Sequence, residues 1–166
     1  MKRNKAVILA GLATWAMLGV AHAVTNNAVT NGLLNAVDTW GVGSMPVAPD
    51  GNVWNANGFS LGVGTPNNTT ETFYGSELVL PAGSELNGGV GWKLTLQAVT
   101  FDGGSLIKNN NVADDYDFSG QPITITANGA TFSTFNRNHN INLKNGNLMG
   151  SGDLVYSRLG GGTDLA

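Results

Sequence analysis

Short apolar–x–apolar triplets recur along the chain after its first two dozen residues. They are Leu78-Val79-Leu80, Leu94-Thr95-Leu96, Ile123-Thr124-Ile125 and Ile141-Asn142-Leu143. A period of two predicts strands with one buried face. After most triplets comes a second short apolar element: Leu86, Val99-Thr100-Phe101, Ala130-Thr131-Phe132 and Leu148. Gly or Asn punctuates these elements, at Ala82-Gly83, Asp102-Gly103-Gly104, Ala127-Asn128-Gly129 and Lys144-Asn145-Gly146. No stretch beyond the start sustains a helical period. Residues Asn31 to Val37 allow about two turns at most.

A strand of three or four residues cannot bury its apolar side alone. Stacking the next copy about 4.8 Å above it pairs the backbone and extends the core. Gly and Asn suit the positive-φ corners between such strands. The pattern therefore predicts an all-β fold, a short right-handed parallel β-helix (a β-solenoid). With rungs of about 20 residues or more, residues 75 to 159 supply roughly four. The triplets start 16, 29 and 18 residues apart, so the unit recurs without a fixed period. The competing fold is an antiparallel β-sandwich or jelly roll, which also uses short strands and Gly turns. Hairpin signals are scarce, and the recurring unit favours the solenoid. Residues 24–74 hold Trp40, Trp54, Pro46, Pro49 and Pro66 and read as an N-terminal cap or irregular first rung. Residues 75–166 read as the solenoid repeats, truncated at the C-terminus.

The start of the chain changes the picture. Lys2, Arg3 and Lys5 precede an apolar run from Ala6 to Val20, and Ala21-His22-Ala23 follows. This is the layout of a secretory signal peptide over residues 1–23, cleaved after Ala23. The run is about 15 residues, short of the roughly 20 that a membrane span needs, so no span remains once the leader is removed. The expected location is secreted or at the cell surface. Three of the eight basic residues belong to the leader, which leaves five against eleven acidic ones and a net charge of −6. Such a chain has nothing with which to neutralise a row of phosphates, so nucleic acid is not an expected partner. Of the 166 residues none is cysteine, which excludes disulfide-stapled domains and Cys-ligated zinc.

Candidate chemistry is sparse. His139, the one histidine beyond the leader, lies in a polar run without the Gly-x-Ser-x-Gly elbow of a hydrolase. Glu71, Glu77, Glu85, Asp102 and Asp153 could supply a carboxylate pair for glycoside hydrolysis, but sequence does not bring any two together. The bases open to a polysaccharide lyase are Lys93, Lys108, Lys144, Arg137 and Arg158. No catalytic residue is assigned, and the chain is read as a non-enzyme. Asp114, Asp115 and Asp117 form the densest acidic cluster, and hard oxygen ligands at close spacing suit Ca²⁺, the one cofactor to consider. Their bland reading is a solvated acidic loop inserted between two rungs, after Asn109-Asn110-Asn111. Trp40, Trp54 and Trp92, with Phe73 and Tyr74, are candidates for a sugar-stacking platform. The alternative for them is cap and core packing. Asn on the turns, as at Asn142, Asn145 and Asn147, acts as a turn former or builds hydrogen-bonded columns along the axis.

The residues Thr124-Ile125 through Gly129 to Thr131-Phe132, followed by Gly150-Ser151-Gly152-Asp153-Leu154, resemble the autotransporter-associated β-strand repeat. In that family a T-I-x-x-x-G-x-T-F phrase precedes a G-S-G-x-L turn and another strand. Leu78 to Leu86 is similar to the first rungs of such proteins. The family's Lys-Thr-Gly phrase is missing, since Ser157-Arg158-Leu159-Gly160-Gly161 stands there. The Gly-rich end and the lack of a following barrel domain lead us to expect a piece of a longer reading frame. The resemblance implies a large secreted or surface-displayed β-helix. The expected function is that of an exported, non-catalytic extracellular or cell-surface structural and adhesive module. Its expected partners are surface glycans or further repeats of the same or another chain. The alternative is a secreted carbohydrate-binding β domain, or the remnant of a β-helix polysaccharide-degrading enzyme.

Overall fold

Each apolar triplet forms a strand, and the strands stack in parallel. The computed structural model describes residues 23–63, 70–88, 93–108, 114–118, 120–134 and 141–158. The leader through residue 22, Trp92, His139 and the Gly-rich stretch from Leu159 lie outside them. The first coil comprises β1 (Thr25–Asn27), β2 (Gly32–Leu33) and the short helix α1 (Val37–Trp40). The second comprises β3 (Val53–Asn55), β4 (Ser60–Gly62) and β5 (Thr70–Thr72). The third comprises β6 (Glu77–Pro81), β7 (Glu85–Gly88) and β8 (Lys93–Thr95). The fourth comprises β9 (Ala98–Asp102), β10 (Ser105–Lys108) and β11 (Asp114–Asp117). The fifth comprises β12 (Pro122–Ile125), β13 (Ala130–Thr134) and β14 (Ile141–Lys144), and β15 (Asn147–Gly150) and β16 (Leu154–Arg158) begin a sixth.

Successive coils contribute one strand to each of three sheets. The first sheet runs β1-β3-β6-β9-β12-β15, the second β2-β4-β7-β10-β13-β16, and the third β5-β8-β11-β14. The ladders between these strands are parallel. The fold is therefore a β-solenoid, and the antiparallel sandwich is excluded. Among the described residues no helix is long and apolar enough to cross a membrane.

Register turns the alternation of each strand into columns. Trp54, Leu78, Val99 and Ile123 lie one above another in the first sheet. Leu61, Leu86, Leu106 and Phe132 do so in the second, and Leu94 and Tyr116 in the third. All ten are at most 4 % exposed. Burying an aliphatic side chain is worth about 1.5–3 kcal/mol, so each coil lends its neighbours an apolar floor or ceiling. At the corner between the first two sheets sit Gly58, Gly83, Gly103 and Gly129, with φ of +84°, +83°, +90° and +77°. This left-handed conformation disfavours residues with a Cβ. The corners are also bonded to one another: the Gly58 N–H donates to Ser84 Oγ at 2.8 Å, and the Gly103 N–H to the Gly129 carbonyl at 2.8 Å.

Two expectations need correction. The solenoid begins at Thr25 rather than near Gly75, because β1 to β5 belong to the same three sheets as the later strands. Among the described residues the first coil is the irregular one, where α1 stands in place of a third-sheet strand. The helix also starts later than Asn31, since Gly32 and Leu33 pair with Leu61 and Gly62. What does cap the core is aromatic. Trp40 meets Trp54 edge-on at 5.0 Å and stacks on Phe73 at 6.2 Å, while Trp54 meets Phe73 at 5.8 Å. The Trp40 Nε1–H donates to the Leu34 carbonyl at 2.8 Å. Removing the middle ring should open a cavity that this packing cannot close. Trp54→Ala should lower unfolding free energy by about 3–5 kcal/mol in denaturant titration. Val47→Ala, at a residue 87 % exposed, should leave it unchanged.

Candidate functional site

Because interior positions are filled by the columns, candidate chemistry must sit on outward faces, corners or connections. Trp40 and Trp54 do neither. They are 3 % and 2 % exposed, and their ring faces are taken up by each other and by Phe73, which corrects the sugar-stacking platform for these two. Trp92, its third member, is outside the described residues.

The acidic cluster is also placed differently. Asp114, Asp115 and Asp117 lie on β11, a strand of the third sheet, and not on a loop inserted between rungs. Parallel pairing with β8 and β14 sets Tyr116 between Leu94 and Leu143, so the core column overrides the loop-like composition. The Asp117 carboxylate accepts from Asn145 Nδ2 at 3.0 Å. It lines a shallow groove of about 260 Å³ with Thr70, Lys93, Thr95 and Lys144, all on the outer face of the third sheet. Among the described residues no group of three or more acidic or His side chains is placed to hold a metal ion.

The carboxylates considered for hydrolysis fall on three sheets and a corner. Four of them accept hydrogen bonds from neighbouring side chains. Asn35 Nδ2 reaches Glu71 Oε2 at 3.4 Å, Thr100 Oγ1 reaches Glu77 Oε1 at 2.7 Å, and Asn87 Nδ2 reaches Glu85 Oε2 at 3.2 Å. Asp102 Oδ1 receives two bonds from the coil above, from Thr126 Oγ1 at 2.5 Å and Asn128 Nδ2 at 2.7 Å. Of the bases, Lys108 is wholly buried at the end of β10, between Gly88 and Thr134 in register. Asn side chains do bond along the axis, to Asp102 and Asp117 as above and from Asn87 Nδ2 to Ser60 Oγ at 2.6 Å.

A second recess lies in a stretch that sequence reasoning passed over as loop. The connection from α1 to β3 folds back over the first sheet and encloses a cleft of about 400 Å³. Asn26, Val42, Ser44, Pro46, Asp50 and Asn52 line it, with an edge of Trp54. Asp50 organises this wall. Its Oδ1 accepts the Asn52 N–H at 2.9 Å, and its Oδ2 accepts Asn52 Nδ2 at 3.0 Å and Trp54 Nε1 at 3.3 Å. The Val24 N–H donates to Asn52 Oδ1 at 3.1 Å, and the Gly51 N–H to Ser76 Oγ at 2.8 Å. The signal available in sequence was Asp50-Gly51-Asn52, an Asx-turn phrase just before a tryptophan. Converging carboxylate and amide groups on a partly apolar recess can orient a small polyol by hydrogen bonds.

Comparison with protein-family models, with curated proteins and with solved structures returns no match. Fold and site together define a class and no narrower group: a three-sheet parallel β-solenoid with polar faces and a small polar cleft beside its first coils.

One polar contact makes a direct test of the coil-to-coil bonding. Hydrogen bonds from Thr126 first, then Asn128, hold the Asp102 carboxyl below its ordinary value of 3.8. The folded state therefore favours the charged form, and that contribution is present above pH about 4 and fades as pH falls through the lowered folded value. NMR titration should place the Asp102 pKa below 3.8, and Thr126→Val should move it up toward 3.8. The variant should also lose less stability than the parent over the same acid range.

Proposed function

We propose that this chain is an exported, non-catalytic β-solenoid segment that serves as a structural and adhesive module outside the cell. The observation that carries this reading is the unbroken stack, in which two parallel sheets run from the first coil to the last and a third from the second coil to the fifth. A stack of this kind is a stiff spacer that repeats its polar faces about every 4.8 Å. The leader pattern over residues 1–23 supports export. The resemblance to the autotransporter-associated repeat supports surface display, and its phrases coincide with β12, β13, the Gly150–Gly152 corner and β16. The absence of cysteine suits a chain that crosses into an oxidising space without relying on bridges. Expression of the whole reading frame in a Gram-negative host, followed by fractionation and intact mass, tests this. The expected product begins at Val24 and is found outside the cytoplasm. A cytoplasmic product that keeps its first 23 residues would overturn the reading.

A second reading, glycan binding, is favoured by the Asp50 cleft, whose volume suits one sugar residue. A glycan array should then show binding that Asn26→Ala weakens at least tenfold, since Asn26 lines the cleft beside the Asp50 network. Failure to bind any glycan, or equal binding by the variant, removes this reading and leaves the structural one.

A further inference from the structure

The cleft beside the first sheet carries one unbalanced charge. Among the described residues that line it, Asp50 alone is charged, and no lysine, arginine or histidine joins it there. The groups that hold its half-buried carboxylate are neutral: the Asn52 N–H, Asn52 Nδ2 and Trp54 Nε1. The carboxylate is therefore hydrogen-bonded but has no counter-ion. Partial burial strengthens its pull on a cation relative to bulk water. The chain as a whole is negative, with or without its leader, so its field also draws cations in.

Hydrogen-bonding capacity narrows the occupant further. A carboxylate offers about four lone-pair positions. Asp50 Oδ2 uses two of them on Asn52 Nδ2 and Trp54 Nε1, and Oδ1 uses one on the Asn52 N–H. One position remains, on Oδ1, and it calls for a donor. Asn52 is committed at both ends of its amide, to Asp50 and to the Val24 N–H. Asn26 and Ser44 also line the cleft, and their side chains take no hydrogen bond among the described residues. An amide and a hydroxyl without partners suit sugar hydroxyls, which both donate and accept. Val42 and Pro46 add an apolar patch for the C–H face of a ring.

We propose that the ligand of this cleft is an amino sugar, a hexosamine residue with a free ammonium group. Its ammonium donates to Asp50 Oδ1 and supplies the missing counter-ion, while Asn26 and Ser44 bond the ring hydroxyls. A neutral sugar would displace water from Asp50 and leave the charge uncompensated. A uronate would set a second carboxylate against it. This inference rests on the glycan-binding reading above and adds the charge of the sugar to it.

Calorimetric titration of the purified chain tests it, with a β-1,4-linked glucosamine tetramer and its fully N-acetylated form as probes. The free-amine tetramer should bind about tenfold tighter or more, the margin of one charge-assisted hydrogen bond. Raising salt from about 0.1 M to 1 M shortens the screening length from about 10 Å to 3 Å and should erode that margin. Asp50→Asn should abolish it. Because Asp50 also holds the cleft wall, Ser44→Lys serves as a second variant: Ser44 is exposed, and a lysine there brings an ammonium into the cleft without touching the core. It too should abolish the preference, with circular dichroism unchanged. Equal or tighter binding of the N-acetylated tetramer overturns the amino-sugar inference and leaves glycan binding standing. A preference for the free amine that survives both variants overturns it as well, since the amine would then bind elsewhere. Binding of neither tetramer overturns it too, and the glycan reading falls with it only if a wider array is also blank.

Discussion

The structure depends on the vertical contact between coils. A three-residue strand such as Val53–Asn55 has one inward side chain, and nothing within its own coil is long enough to sheathe it. Trp54 is buried because Leu78 lies beyond it and because Trp40 and Phe73 close over its rings. The same holds for Leu86, set between Leu61 and Leu106. Backbone bonding follows the same direction, since each parallel ladder joins one coil to the next. Side-chain bonds such as those from Thr126 and Asn128 to Asp102 repeat the pattern on the outside. Stability in such an array is a sum over neighbouring coils rather than a property of one centre.

That dependence explains what was legible in the sequence and what was not. The triplets were visible because strand alternation is local, and Gly and Asn at the corners were visible because positive φ is local. The irregular triplet spacing has a simple geometric origin. Leu78 and Ile123 begin first-sheet strands, whereas Leu94 and Ile141 fall on the third sheet, so consecutive triplets are not equivalent positions. The true repeat is the column, which ranges from 20 residues between Leu86 and Leu106 to 29 between Gly32 and Leu61. Corners of variable length absorb the difference.

What remained hidden is what only the neighbouring coils decide. Ser105–Lys108 carries a buried lysine where an apolar residue would be expected, and Asp114–Asp117 is three-quarters aspartate. Both are strands because Leu106 and Tyr116 fill columns already defined above and below. The tryptophans gave the opposite difficulty. A large aromatic reads equally as a platform or as core, and the choice between them was made by α1, a single turn that swings Trp40 under Trp54. The Asp50 cleft was illegible for a third reason: it forms only when the connection after α1 closes over the first sheet.

The two ends of the stack show how differently the same dependence can be met. At the near end the third sheet terminates under α1, whose left-handed Gly41 stops the helix after one turn, and the aromatic cluster seals the core. At the far end the last coil is built like those inside. Gly150 and Gly152 press their backbone against the Ile125 and Thr126 carbonyls so closely that a Cβ at either would collide. Ser157 keeps its inter-coil bond to Ser133 at 2.6 Å. Each of these contacts joins the last described coil to the one beneath it, as the inner coils are joined to one another. The first coil thus closes the core with aromatic side chains, while the last described coil keeps the backbone and side-chain contacts of the coils inside.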